Sequence, residues 1–226
     1  MTSTVIPSLL QPASPVVGDE RLFPVRRILC VGRNYAAHRA EMGGDDRDPP
    51  IFFAKPSDAL VPLGGSVAYP SATSNLHHEV ELVVALGASG ADVSEARALE
   101  LVFGYAVGVD LTRRDLQAVA REKSQPWEAS KGFDQSAPMS AIRPASNGPP
   151  QGRIWLSVNG QTRQDAALAN MIWNVPEIIS QASKLWRLAA GDLIFTGTPE
   201  GVGPLVRGDK VEAGIDAVGS LSFTIV

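Results

Sequence analysis

Apolar positions along this chain come in short runs bounded by glycine, proline and asparagine, and helical stripes are few. "VRRILCVG", "IFFAKP", Glu79–Leu86 and Val102–Leu111 each read as strands, with branched and apolar residues closed by turn formers. "IWLSVNGQTRQ" sets Asn159-Gly160 between two polar–apolar alternations, which predicts a tight hairpin. "DLIFTGTPEGVG", "DKVEAGI" and "GSLSFTIV" add short strands with glycine turns. Three segments predict helices. "NYAAHRAEMGG" has Asn34 as N-cap and Gly43 and Gly44 as terminators. In "TRRDLQAVAREK", Thr112 and Asp115 are spaced like a capping box. "VPEIISQASKLWRLAAGD" carries Pro176 near its start, an apolar stripe of Ile178, Ala182, Leu185 and Trp186, and Gly191 as its stop. Residues 1–24, rich in Pro, Ser and Val, predict an extended lead-in with little structure of its own. No repeat or linker divides the remainder, so residues 25–226 are expected to form one β-rich α+β domain with a few flanking helices.

Composition narrows the function without naming it. A chain of 226 residues hides roughly 70% of its unfolded surface, and 44% hydrophobic with 19% charged residues is ordinary for a globular protein. Twenty basic against 24 acidic side chains give a net charge of -4 with no long run of either sign. That argues against nucleic acid or an anionic membrane as partner. A metal or a few Lys and Arg can still reverse the field in one pocket, so an anionic substrate stays open. Cys30 is the single cysteine, which removes intrachain disulfides, points to a reducing compartment, and reads as core within its apolar strand. The N-terminus lacks a basic segment and is broken by prolines, and no apolar run approaches the ~20 residues of a membrane span. The expectation is a cytoplasmic protein.

The chemistry concentrates where "NLHHEVELVVALG" puts two glutamates at the mouth of an apolar strand. Strand alternation gives His77, Glu79, Glu81 and Val83 one face, and His78, Val80, Leu82, Val84 and Leu86 the other. Glu79 and Glu81 then lie ~6–7 Å apart, close enough to share a cation, although a solvated face explains an isolated Glu-x-Glu equally well. In "FGYAVGVDLT", Gly104, Ala106, Gly108 and Asp110 share a face of very small residues, which reads as clearance for something to approach. Three carboxylates with such clearance suit a hard divalent cation. His38 and Glu41, three apart on the first helix, could make a general base oriented by a carboxylate, or an ordinary surface pair. The glycine pair and charged loop after them have the composition of a lid. Lys55 and Lys131 are lone lysines able to neutralise an anionic substrate or a developing oxyanion, or to sit at the surface. Arg113 and Arg114 follow Asp110 closely enough for one to reach the same pocket. "TGTPEGVG" lacks the Lys-Ser/Thr of a phosphate loop, but its backbone N–H groups could hold a carboxylate.

Taken in order, "CVGRNYAAHRAEMG", "FFAKPSDA", "HHEVEL", "GYAVGVDLTRRDLQ", "KGFDQSAP" and "GDLIFTGTPEGVG" resemble the fumarylacetoacetate hydrolase family from about Phe23 to the C-terminus. The likeness is greatest to its single-domain acylpyruvate hydrolase branch and, within that, to bacterial fumarylpyruvate hydrolases of gentisate breakdown. The resemblance implies a mixed β-sheet roll with flanking helices, a homodimer, and one Mg²⁺ or Mn²⁺ per subunit. It assigns Glu79, Glu81 and Asp110 as metal ligands, His38, Glu41 and Lys131 as catalytic residues, and Arg33, Lys55, Arg114 and Thr198 as substrate-binding residues. The implied substrate is a small anionic 2-oxo or 2,4-dioxo acid, 3-fumarylpyruvate being the expected one. Relatives with similar motifs decarboxylate oxaloacetate or isomerise dienoic diacids, and a non-catalytic metal- or carboxylate-binding protein is the alternative from a different class.

Overall fold

A computed structural model describes residues 5–7, 10–35, 48–145 and 148–226. In chain order the strands are β1 (Ala13–Val16), β2 (Asp19–Pro24), β3 (Arg27–Gly32), β4 (Ile51–Lys55), β5 (Leu60–Pro62), β6 (Gly65–Val67), β7 (Leu76–His78), β8 (Val80–Leu86) and β9 (Val102–Val109). They continue with β10 (Thr112–Arg113), β11 (Ala137–Met139), β12 (Arg143–Pro144), β13 (Arg153–Val158), β14 (Gln161–Ala167), β15 (Asp192–Phe195), β16 (Gly203–Leu205), β17 (Lys210–Ile215) and β18 (Gly219–Ile225). Among the described residues the α-helices are α1 (Glu95–Ala98), α2 (Arg114–Glu122), α3 (Glu128–Lys131) and α4 (Val175–Leu185).

The strands form an eight-stranded sheet along β4-β3-β15-β8-β9-β11-β5, with β12 beside β9, and a five-stranded sheet in the order β14-β13-β17-β18-β6. Both are mixed: β15 runs parallel to β3, β11 to β5 and β18 to β6, while the other pairs are antiparallel. This is the β-rich α+β roll that the sequence predicts.

The central strands are buried on both faces. Val80, Leu82, Val84 and Leu86 of β8 pack with Ile154, Leu156, Val211 and Phe223 of the five-stranded sheet and with Ile178 and Ile179 of α4. Val83 and Ala85, on the opposite face, pack with Ile28, Cys30, Ala106, Leu193 and Phe195. That second face is where the sequence reading goes astray. The small residues of β9 clear no space for a ligand: a Cβ on Gly108 would lie 2.5 Å from Phe195 Cε1 and 2.6 Å from Val83 Cγ2, and one on Gly104 would lie 2.4 Å from the Arg143 carbonyl. The room is filled by the protein itself.

Three further expectations are corrected. The lead-in contains a hairpin, β1 against β2, whose Val16 and Phe23 close the second core. Asn34 turns its side chain to the 173 and 196 backbone, donating to Trp173 O and Thr196 O and accepting from Trp173 N, so it is no simple cap. Asp115 binds Thr73 Oγ1 and the Ser74 N–H, and α2 starts without a side-chain cap. The helix predicted after Asn34 lies outside the described residues. The Asn159-Gly160 hairpin forms as expected, with φ of 52° and 76°. Helix α4 is secured by a capping box between Asn174 and Glu177, and it ends at Leu185, before Gly191; Leu185 itself faces solvent.

Candidate metal centre

Strand register gathers the acidic residues. Glu79 sits in the break between β7 and β8, Glu81 pairs with Gly108 across β8–β9, and the Asp110 N–H donates to the Glu79 carbonyl at 2.8 Å. Carboxylate oxygens of Glu79, Glu81 and Asp110 consequently lie within 4.8 Å of one another, and all three residues are buried. A buried carboxylate without compensation costs several kcal/mol, so each has partners. Lys131 Nζ lies 2.9 Å from Glu79 Oε2, 2.5 Å from Asp110 Oδ2 and 2.6 Å from Thr112 Oγ1. Arg114 donates to Glu79 Oε1, and to Gln117 Oε1 at 2.5 Å. The Gly197 N–H donates to Glu81 Oε2 at 2.7 Å. The glycine turn does hold a carboxylate, and it is the protein's own Glu81.

Charge and burial compete here. Burial, then the neighbouring Asp110 and Glu79 charges, push the Glu81 carboxyl well above its usual range, against Lys131 and the Gly197 N–H. Burial works against the Lys131 ammonium, but Asp110 and Glu79 outweigh it and hold Lys131 above the usual lysine range. His77 is pushed down to about 4, first by burial and then by the Arg114 guanidinium. Asp110 Oδ1 is buried and accepts no aligned hydrogen bond, although Lys55 Nζ lies 2.8 Å away. An all-oxygen donor set with a buried, incompletely satisfied carboxylate oxygen fits a hard divalent cation.

Beside these carboxylates runs a cleft lined by Arg33, Phe53, Arg114, Gln117, Trp127, Lys131 and Thr198 together with Glu79 and Glu81. Arg33 follows β3 in the left-handed region, φ 59°, where the chain leaves the sheet. Seven of the residues picked from sequence thus meet: Glu79, Glu81, Asp110, Lys131, Arg33, Arg114 and Thr198. Lys55 is a correction. It is fully buried behind Asp110, donating to the carbonyls of Leu111 and Lys131, and it is absent from the cleft wall. Arg113 stacks over the Phe133 ring at 4.3 Å, leaving Arg114 as the arginine that reaches the carboxylates. His38 and Glu41 lie outside the described residues. Gln117, Thr112 and Trp127 were not anticipated; only Gln117, one helical turn after Arg114, carries a spacing signal.

Residues 27–226 match the family description "Fumarylacetoacetate (FAA) hydrolase C-terminal". The chain belongs to the fumarylacetoacetate hydrolase family. Within that family it is 48% identical over 176 residues to the fumarylpyruvate hydrolase of Ralstonia sp, covering 77% of this chain and 92% of that one. It is 47% identical over 202 residues to the mitochondrial oxaloacetate tautomerase FAHD1 of Mus musculus, covering 88% and 91%. The crystal structure of fumarylpyruvate hydrolase from Pseudomonas aeruginosa in complex with Mn²⁺ and pyruvate superposes with a TM-score of 0.96 at 47% identity, covering 99% of both chains. Family members of nearly equal similarity thus carry different reactions, and the choice between them rests on the chemistry of the cleft. Among the described residues, no helix is long and apolar enough to cross a membrane.

Proposed function

We propose that this family member is an acylpyruvate hydrolase working with one Mg²⁺ or Mn²⁺ per subunit, and that its substrate is 3-fumarylpyruvate, cleaved to fumarate and pyruvate. One observation carries the reading: three buried carboxylates converge beside a cleft whose other polar groups are cationic, hydroxylic or amide. Glu79, Glu81 and Asp110 are faced by Lys55, Lys131 and Arg114, so the formal charges balance. A divalent cation held by the carboxylates leaves the centre positive and complementary to a dianion such as fumarylpyruvate. Similarity to the fumarylpyruvate hydrolase bound to Mn²⁺ and pyruvate supports the same conclusion.

When bound, the cation supplies positive charge beside the 2-oxo acid end of the substrate, where negative charge develops. The remaining work falls to the chain. Arg33 and Arg114 are suited to pair with substrate carboxylates, and the Thr198 hydroxyl to donate to one. His38, oriented by Glu41, takes a proton from the attacking water; both enter on the sequence alone. Lys131, whose three protons go to Glu79, Asp110 and Thr112 in the resting site, turns one of them to the oxyanion formed when that water adds to C4. The C3–C4 bond then breaks, the acyl half leaves as a carboxylate, and C3 gains a proton to give pyruvate.

The identity to oxaloacetate tautomerase favours a second reading, in which the same cleft moves a proton between C3 and the 2-oxo oxygen of oxaloacetate and no carbon–carbon bond breaks. Both reactions consume an enol chromophore, so absorbance must be paired with a pyruvate assay. With Mg²⁺, equimolar fumarate and pyruvate from fumarylpyruvate is the expected result. Loss of oxaloacetate enol without pyruvate identifies the tautomerase, and pyruvate with CO₂ identifies a decarboxylase. Full hydrolysis in EDTA overturns the cation-dependent mechanism.

A further inference from the structure

A buried polar chain crosses from the five-stranded sheet to Thr198 on the cleft wall, and the mechanism above leaves its other members, Gln164 and His78, unused. Gln164, fully buried in β14, accepts the Val80 N–H at 3.1 Å through Oε1. Through Nε2 it donates to Pro199 O at 2.9 Å and to Thr198 Oγ1 at 2.8 Å. The two backbone partners have fixed polarity, since an N–H only donates and a carbonyl only accepts. They decide which end of the Gln164 amide is oxygen. It follows that His78 Nδ1, 3.0 Å from the same Oε1, carries its ring proton on that nitrogen. It also follows that Thr198 Oγ1 is an acceptor toward Gln164, so its own proton points elsewhere. No described residue accepts that proton, and Thr198 lies on the cleft wall, 3% exposed.

Local backbone enforces the arrangement. The β13–β14 register slips between Leu156 and Ser157, where Arg163 is the extra residue opposite, and the bulge leaves Gln164 inward with Arg163 and Asp165 outward. Gly201, at φ 88°, packs on that bulge so closely that a Cβ would lie 2.1 Å from the Arg163 carbonyl. The turn bearing Thr198 and the bulge bearing Gln164 are therefore packed and hydrogen-bonded directly against each other.

We propose that Gln164 is a positioning residue that fixes Thr198 as a hydrogen-bond donor into the cleft, so that this wall selects an acceptor-only group, a carboxylate or oxyanion, on the substrate. The proposal rests on the 2-oxo acid reading for the ligand, but its proton arrangement stands independently of it. In histidine-¹⁵N-labelled protein with Mg²⁺, His78 should show a protonated Nδ1 and a bare Nε2; the reverse tautomer overturns the proposal. Calorimetry with oxalate in Mg²⁺ gives the second readout. Gln164→Met and Thr198→Val should each weaken oxalate about tenfold, and the double variant should bind no more weakly than Thr198→Val alone. Mg²⁺ affinity should be unchanged throughout. If Gln164→Met costs its full factor in the Thr198→Val background, Gln164 acts through the fold and the proposal fails. If the unaltered protein binds Mg²⁺ but no oxalate, the 2-oxo acid reading falls, while the His78 tautomer still decides the proton arrangement. That measurement also decides it should Gln164→Met not fold.

Discussion

Glu81 and Lys55 show how differently two buried charges can be used in one site. Glu81 lies among like charges and has one backbone donor, so in the absence of a cation its ionised form is costly. Glu81→Gln keeps an acceptor for the Gly197 N–H and removes that cost. Without metal the variant should melt no lower than the unaltered chain, yet it should lose the rise in Tm that Mg²⁺ produces; a retained Mg²⁺ shift would exclude Glu81 as a ligand. Lys55 has the opposite sign. Its ammonium supports Asp110 and two carbonyls at once; Lys55→Met leaves Asp110 with Lys131 as its remaining ion-pair partner and takes a buried donor from both carbonyls. Breaking a buried pair on one side costs about 3–5 kcal/mol, which urea unfolding should read as a loss partly recovered in Mg²⁺. Strand alternation put Glu79 and Glu81 on one side but left a solvated face equally open, and it was the family resemblance that joined them with Asp110 as a metal set. The position of Lys55 behind Asp110 was not legible in sequence, since pairing between distant strands decides it.

At the level of elements, β8 and β9 matter more than any helix, because their register sets Glu81 opposite Gly108 and brings Asp110 to Glu79. Gly108 is required by the approach of Phe195 and Val83. Gly108→Ala should cost about 1–3 kcal/mol by overpacking, and it should weaken Mg²⁺ binding by displacing the strand that carries Glu81's neighbour. Calorimetry showing unchanged Mg²⁺ affinity would separate this packing from the site. Strands and the Asn159-Gly160 hairpin were readable from apolar runs and turn chemistry, which are local signals. The meaning of the glycine face was misread, because alternation tells which residues share a side and says nothing of what packs there. Caps failed for a related reason: Asp115 has the spacing of a capping box but binds Thr73 and Ser74, which only the tertiary fold brings near.

Across the whole molecule, the metal centre and the N-terminal hairpin share one face of the large sheet. Glu81 leads into Val83 and Ala85 along β8, and the far end of that core is closed by Val16, Phe23 and Phe103. The hairpin is bound by backbone as well, through Val17 N–H to Ile142 O at 2.8 Å and Ile142 N–H to Pro15 O at 2.9 Å. Removing residues 1–24 uncovers this end of the core, at roughly 1.5–3 kcal/mol for each large side chain lost, while Glu79, Glu81, Asp110 and Lys131 keep their hydrogen-bond partners among the described residues, none of which lies in that segment. The truncated chain should therefore unfold at a lower urea concentration than the full chain. Mg²⁺ at a hundred times its Kd should still return about 2.7 kcal/mol to each, because binding to the folded state adds the same increment wherever the donors survive. Equal Mg²⁺ increments in the two proteins would mean that the hairpin supports stability alone. A smaller increment in the truncated chain would mean that order at the hairpin end of the core is transmitted along β8 to the carboxylates.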